Sequence, residues 1–482
     1  MHKVLRISAG VLGISAGICL LLAQGGPPVV TVAKDIPRLV PGKDGERQKI
    51  NFYVFSWDEF LALNWPALAG PGGLPQRGVA DGNKKPGDAG TRVWETWKAD
   101  YELFLDQTGH TPPLTPTDWS SWDLPVQVCS SSDGAARVIP MVAKGESVFP
   151  GGLNQAMGGP LVDQHGKYVR YEVRVNEEEY NETRDKQWYL RKNLRNYPAA
   201  PNLFAASTAD RYGAIELKAA WRIMTPQEIQ AQPPRYYMAQ ARVVDVNTHQ
   251  CSPQPVTVGL VGFHIAHKTG IFAAWVWSTF EQADNVPDPS RPAPALGYSL
   301  NNGKPPVTSL KNWGFSPATA YRPVDSAHLK PENTSPIETL RLNPISDEIA
   351  ALNKTVHDLA GVKGTVWENY ELVETQWQTA FPPQIKISNP RTNEDLYPQL
   401  VATPVDAVAN TTMETFYQGY MGPPKPDPAR NALGVPTLGT SCLHCHYQAA
   451  QYDFSWVMAD AAWPPSQASE TKLNRALHSK GK

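Results

Sequence analysis

The sequence predicts an α+β fold: a large antiparallel-sheet body with packed helices and long Pro/Gly-rich loops. Three observations carry that expectation. Segments 214–223, 235–246, 256–267 and 271–280 alternate with period two and are rich in Val, Ile, Tyr and Trp. The links between them are short, and short links join antiparallel neighbours, because parallel strands need long crossovers. The 45 Pro and 36 Gly of the 482 residues gather in stretches such as 26–50, 70–91, 106–128 and 285–343, which read as loops.

The elements follow in order. Lys3 and Arg6 precede an uncharged, mostly apolar run from Ile7 to Ala23, and small residues follow at Ala23 and Gly25. Residues 1–25 thus have the layout of a secretory signal peptide. The run is short for a spanning helix, which needs about 20 residues. The chain is expected to be exported, periplasmic or otherwise outside the cytoplasm. A membrane is involved only if this segment is retained as an anchor. Ser56 is placed as an N-cap, with Glu59 as its capping-box partner, for a helix that Pro66 stops. Trp94, Trp97 and Tyr101 lie at helical spacing within 91–105. Tyr168–Val175 alternates as a strand, and a charged helix over 177–195 follows. After the central strands, Pro344 suits the first turn of a helix reaching about Ala360. Val366–Trp377 reads as a strand. Composition shifts at 380–400 and divides a body, 26–395, from a last unit, 396–482.

Charge excludes one class of function. The 44 Lys and Arg balance 46 Asp and Glu, whereas a nucleic-acid binder needs a basic surface to neutralise phosphates. No nucleic-acid partner is expected. The glycine-rich loop 70–91 lacks the Lys-Ser/Thr ending of a phosphate cradle, and no nucleophile elbow, zincin helix or dinucleotide fingerprint occurs.

The strongest chemical signal is Cys442-Leu443-His444-Cys445-His446. Cys-x-x-Cys-His is the spacing of a c-type haem attachment site. Two thiols three positions apart reach the two vinyl groups of one porphyrin, and the next histidine lies under the iron as its proximal ligand. His444, held within the attachment loop, is a poor ligand for the same iron. Two other readings compete. A zinc site would want a further Cys or His pair nearby, and the last unit has none. A redox dithiol would want a βαβ setting.

At Cys442, Cys445 and His446 the chain resembles the c-type cytochromes. The resemblance covers little else, although the whole is loosely similar to exported monohaem c-type cytochrome family proteins of unassigned activity. It implies one covalent haem c, export before haem insertion and redox activity at iron, held by a small, mostly helical C-terminal haem-binding segment. Small cytochromes c take a Met ligand from well beyond the motif, but only 36 residues follow His446. Upstream segments must therefore wall the haem.

The sixth ligand stays open. Met421 and Met413 precede the motif and are free to fold over it, whereas Met458 follows too closely to reach the far face easily. Each also reads as core filler. His264 and His267 lie three apart on a strand and face opposite sides of the sheet. His264 is retained as a distal candidate. Trp275 and Trp277 read as aromatic packing, with Glu281 and Asp284 as weaker acid–base candidates. In an oxidising compartment the two isolated cysteines, Cys129 and Cys251, predict one disulfide, the alternative being two buried thiols.

The expected function is one-electron transfer between the haem and a redox partner protein. The alternatives are a haem-dependent oxidoreductase, peroxidase- or oxygenase-like with an open distal site, or a Trp-rich ligand- or partner-binding module that carries a haem.

Overall fold

One long strand organises the chain. The computed structural model describes residues 28–42, 48–105, 110–122, 138–139, 141–143, 146–147, 161–194, 203–244, 251–270, 275–304, 336–341, 343–377, 408–415, 442, 446, 449 and 452–461. In chain order the elements are α1 (Lys49–Leu63), β1 (Ala67–Ala69), β2 (Pro75–Ala80), β3 (Lys98–Ala99), α2 (Asp100–Leu103), β4 (Val138–Ile139), β5 (Met141–Ala143), β6 (Glu146–Ser147), β7 (Arg170–Val175), α3 (Glu177–Asp185), α4 (Arg191–Leu194), β8 (Ile215–Ile223), α5 (Pro226–Gln230), β9 (Met238–Val243), β10 (Val256–His267), β11 (Val276–Gln282), α6 (Asp347–His357), β12 (Tyr370–Gln376) and α7 (Trp456–Ala461). The predicted leader, 1–25, lies outside the described residues. No helix among them is long and apolar enough to cross a membrane.

The main sheet runs β12-β11-β10-β8-β7-β5-β6, with β3 against β7 and β9 against β10. The 12-residue β10 pairs with β8 along one edge, and with β9 and then β11 along the other. Among the described residues every strand pairing is antiparallel except the short β4–β9 contact, and one isolated bridge, Ser207–Thr269, is also parallel. The mixed fold with a large antiparallel body is thus as expected.

Alternation along β10 creates two unlike faces. Phe263 and Ile265 look one way, with Leu217, Ala219 and Trp221 of β8 and Phe280 of β11, into the largest apolar cluster. Helix α1 covers this face. Phe60 stacks on Phe280 at 4.3 Å and meets Phe263 edge-on, while Trp57 meets Phe280 edge-on. Gly262, His264 and Ala266 look the other way, in register with Glu281, Thr279 and Trp277 of β11 and with Ala220, Lys218 and Glu216 of β8. Residues 408–415, 449 and 452–458 cover this second face. An extra residue, Val261, sits where the register shifts between Leu260 and Gly262. That bulge keeps Leu260 and Phe263 on the same side of the sheet.

Four helical expectations are corrected. The charged helix expected over 177–195 is two short ones, α3 and α4, separated by residues 186–190. Helix α1 begins at Lys49, so Ser56 is interior and buried. Its hydroxyl bonds Phe52 O at 2.9 Å and the hydroxyls of Ser278 and Thr375 at 2.7 and 2.6 Å. A helix apolar nearly all round has no marked seam, so periodicity does not reveal its start. The stretch 91–105 is a 3₁₀ turn at Trp94–Thr96, the two-residue β3 and the one-turn α2. Its aromatic spacing serves packing, with Trp94 against Trp221 and Phe263. The helix predicted from Pro344 begins at Asp347, because the Ser346 hydroxyl takes the N-cap and accepts Ile349 N at 3.3 Å. Cys251 is disulfide-bonded; Cys129, its expected partner, lies outside the described residues.

Gly262 is where the C-terminal layer touches the sheet. A Cβ there would lie 2.0 Å from Thr412 Oγ1 and 3.2 Å from Asn410 Oδ1. Asn410 Nδ2 donates to Thr279 Oγ1 at 3.0 Å and to Phe280 O at 2.9 Å, and Tyr171 OH donates to Thr412 O at 2.6 Å. Gly262→Ala is expected to lift this segment and destabilise the protein by about 2–3 kcal/mol. Adding Thr412→Ala should recover part of that loss. Denaturant unfolding of the double-mutant cycle measures both.

Candidate functional site

The second sheet face gathers the chemistry. His446 Nδ1 lies 2.6 Å from the carbonyl oxygen of Phe454. A carbonyl only accepts, so Nδ1 carries the proton and Nε2 presents its lone pair. The His446 ring rests 5.5 Å from the indole of Trp277. Desolvation pushes the imidazole pKa down to about 4, against the pull of the Phe454 carbonyl and with a further push from His264. His446 is therefore a neutral imidazole with one nitrogen committed, the state a metal ligand requires. Four residues before it, Cys442 packs against the cluster of Trp188, Phe204, Trp275, Trp277, Phe454 and Met458, and against that of Phe52 and Trp377. Cys445 and Met421 lie outside the described residues.

His264 stands in the row Lys218–His264–Thr279 across β8, β10 and β11. Its Nε2 is buried without a hydrogen bond, 3.4 Å from Glu414 Oε2. Glu414 is fixed by accepting Asn410 N at 2.9 Å. Trp277 Nε1, one diagonal step from His264, is likewise buried without a hydrogen bond. Met413 belongs to the cluster of Tyr171, Met224, Val261 and Val457. Met458 is buried, with the Thr183 hydroxyl 3.9 Å from its sulfur. Among the described residues no group of three or more His, Cys, Asp or Glu side chains is arranged to hold a metal ion. The two acid–base candidates on β11 and beyond it serve ion pairs: Glu281 holds Arg341 at 2.9 Å and Thr411 N at 2.6 Å, and Asp284 holds Arg235.

On the opposite face His267 forms a constellation that sequence reading passes over. Its Nε2 meets Ser207 Oγ at 2.7 Å and its Nδ1 meets Glu59 Oε1 at 2.7 Å. The connectivity is that of a hydrolytic triad. Access is not: all three residues are buried, and Ser207 Oγ already accepts Gly213 N at 2.7 Å. Even a Cβ on Gly213 would fall 2.4 Å from Lys268 O and Ser207 N. The network ties α1, the 205–213 loop and β10 together and leaves no room for a substrate. The opposed orientations of His264 and His267 agree with the strand's alternation.

A second buried polar group supports the C-terminal layer. Glu179 of α3 and Glu216 of β8 lie side by side, and the Ser455 hydroxyl donates to Glu216. Burial first, then the neighbouring carboxylates, holds Glu179 well above the usual carboxylate range, and burial raises Glu216 to about 7. Each acid keeps its proton longer in the fold than in the unfolded chain. Stability contributed here is therefore complete at low pH and falls as pH rises from about 4.5 toward 7. Glu179→Gln removes the repulsion. The variant should be more stable than the parent by about 1–2 kcal/mol at pH 8 and equal to it at pH 4, read by denaturant unfolding.

No protein-family model matches the chain, and neither a curated protein nor a solved structure matches it.

Proposed function

We propose that the chain is an exported c-type cytochrome carrying one haem c on Cys442, Cys445 and His446, and that it passes single electrons to or from a redox partner protein. The observation that carries this reading is the 2.6 Å bond from His446 Nδ1 to Phe454 O, which aims an uncommitted Nε2 away from the backbone. Its surroundings fit a covalently held macrocycle. Cys442 enters an aromatic shell, Trp277 flanks the imidazole, and two buried polar atoms without hydrogen bonds, His264 Nε2 and Trp277 Nε1, border the same patch. Buried polar atoms of that kind call for a partner.

Bound haem would supply a one-electron iron couple whose potential follows axial ligand and burial. The chain's own residues do the rest. The cysteines retain the porphyrin, His446 orients to the iron, and the shell of Trp188, Phe204, Trp275 and Trp277 keeps water away. The segment 396–482 is the haem-holding unit, whose described residues 408–415 meet the sheet of the body at Gly262, Thr279 and Glu281, and export through the leader 1–25 would deliver it to the periplasm or beyond.

A second reading, a haem-dependent oxidoreductase, draws on one observation: His264 and Glu414 stand 3.4 Å apart beside the site. A histidine whose Nε2 faces a carboxylate can exchange a proton with it, and the pair can serve a bound small molecule as acid and base.

The protein exported from cells able to mature such cofactors is expected to be coloured and, in alkaline pyridine, to give the spectrum of one covalent haem c per chain. Cys442→Ser with Cys445→Ser should release the colour to acidic acetone. Colourless parent protein would sink the proposal. Low-spin iron inert to carbon monoxide and peroxide favours electron transfer; high-spin iron that binds them favours the second reading.

A further inference from the structure

His446 owes its tautomer to one carbonyl, and that carbonyl sits in a turn the chain does not adopt unaided. Asp453 and Phe454 have φ of 57° and 63°, left-handed backbone that side-chain-bearing residues keep only where their surroundings over-determine it. Several contacts do so. Lys268 Nζ donates to both carboxylate oxygens of Asp453. Phe204 N donates to Asp453 Oδ2 at 2.9 Å, and Trp275 Nε1 donates to the Asp453 carbonyl at 2.6 Å. Phe454 N reaches Ala449 O at 3.1 Å, and Ser455 N reaches Tyr452 O at 3.1 Å. Lys268, Trp275 and Asp453 are all buried. Lys268 directly follows β10, so the anchor of the turn grows out of the strand that bears His264.

We propose that Lys268, Trp275 and Asp453 are positioning residues for His446, holding the Asp453–Phe454 turn so that its carbonyl meets Nδ1 and thereby setting the ligand strength of Nε2. The inference rests on the haem reading of His446. A short bond from Nδ1–H to a carbonyl increases the basicity of the other nitrogen, and a more basic axial ligand favours oxidised iron. Loosening the turn weakens that bond and favours reduced iron. An ion pair serving only as fold glue would alter stability and leave the potential unmoved.

The test uses holoprotein in two forms, the charge-removing double variant Lys268→Met/Asp453→Asn and the single variant Trp275→Phe. The pyridine spectrum of the parent comes first; absence of covalent haem there defeats the haem reading and this inference with it. Given haem, both variants should retain it and shift the midpoint potential upward by at least threefold in the relative stability of the two oxidation states, about 28 mV for one electron. Unfolding free energy is measured alongside. Potentials within twofold of the parent in both variants, whatever their stability, overturn the inference. If the double variant fails to fold, Trp275→Phe decides by the same criterion.

Discussion

A strand paired along both edges has to satisfy both of its faces, and β10 is such a strand. Its backbone is committed to β8 on one side and to β9 and β11 on the other. Each side chain must therefore find its partners above or below the sheet. Phe263 and Ile265 find them in the aromatic layer under α1. His264 and the neighbouring Lys218, Thr279 and Glu281 cannot be buried by apolar side chains without a large desolvation cost. They need a polar cover, and residues 408–415 supply one: Asn410 bonds Thr279, Thr411 bonds Glu281, and Glu414 approaches His264. The C-terminal layer is in this sense demanded by the composition of the second face, and the site forms where that layer meets the sheet.

Legibility in the sequence follows from the range of the signal. Alternation over 256–267 is local and strong, and the strand has those limits in the structure. The strand of 214–223 is equally clear, because the apolar residues Ile215, Leu217, Ala219, Trp221 and Ile223 recur at every second position. Helix α1 is obscured, since Phe52, Tyr53, Val54 and Phe55 are all buried and no polar stripe marks its face. Ser56 looks like a cap because serine competes for backbone bonds. Here it uses that capacity inside the helix and toward two strands.

The site divides in the same way. Cys442, Cys445 and His446 form a pattern within five residues and stand out at once. The groups that give His446 its setting come from elsewhere: Trp277 from β11, His264 from β10, and the Phe454 carbonyl from a turn that no side-chain pattern announces. His264 was legible as a strand histidine facing away from His267. Its neighbour Glu414 was not, because a single acid in a polar stretch carries no periodic signal. Asp453 and Phe454 were also hidden. Neither is a residue that usually signals left-handed backbone as strongly as glycine does, and only the long-range bonds to Lys268, Phe204 and Trp275 make that conformation tenable.

His267 and His446 illustrate why access, more than connectivity, separates chemistry from architecture. His267 has a hydroxyl on one nitrogen and a carboxylate on the other, and by connectivity alone it is the better equipped. Both its nitrogens are consumed, however, and the serine it faces already accepts an amide. His446 has a single committed nitrogen and an open one; nearby, Trp277 Nε1 is buried without a hydrogen bond and His264 Nε2 faces Glu414 Oε2 at 3.4 Å. Saturation does not separate the two, since Glu59 Oε2 in the His267 network is also buried without a hydrogen bond. Access does: Glu59, Ser207 and His267 are fully buried around Gly213, where even a Cβ has no room, whereas His446 keeps one nitrogen open under the C-terminal layer.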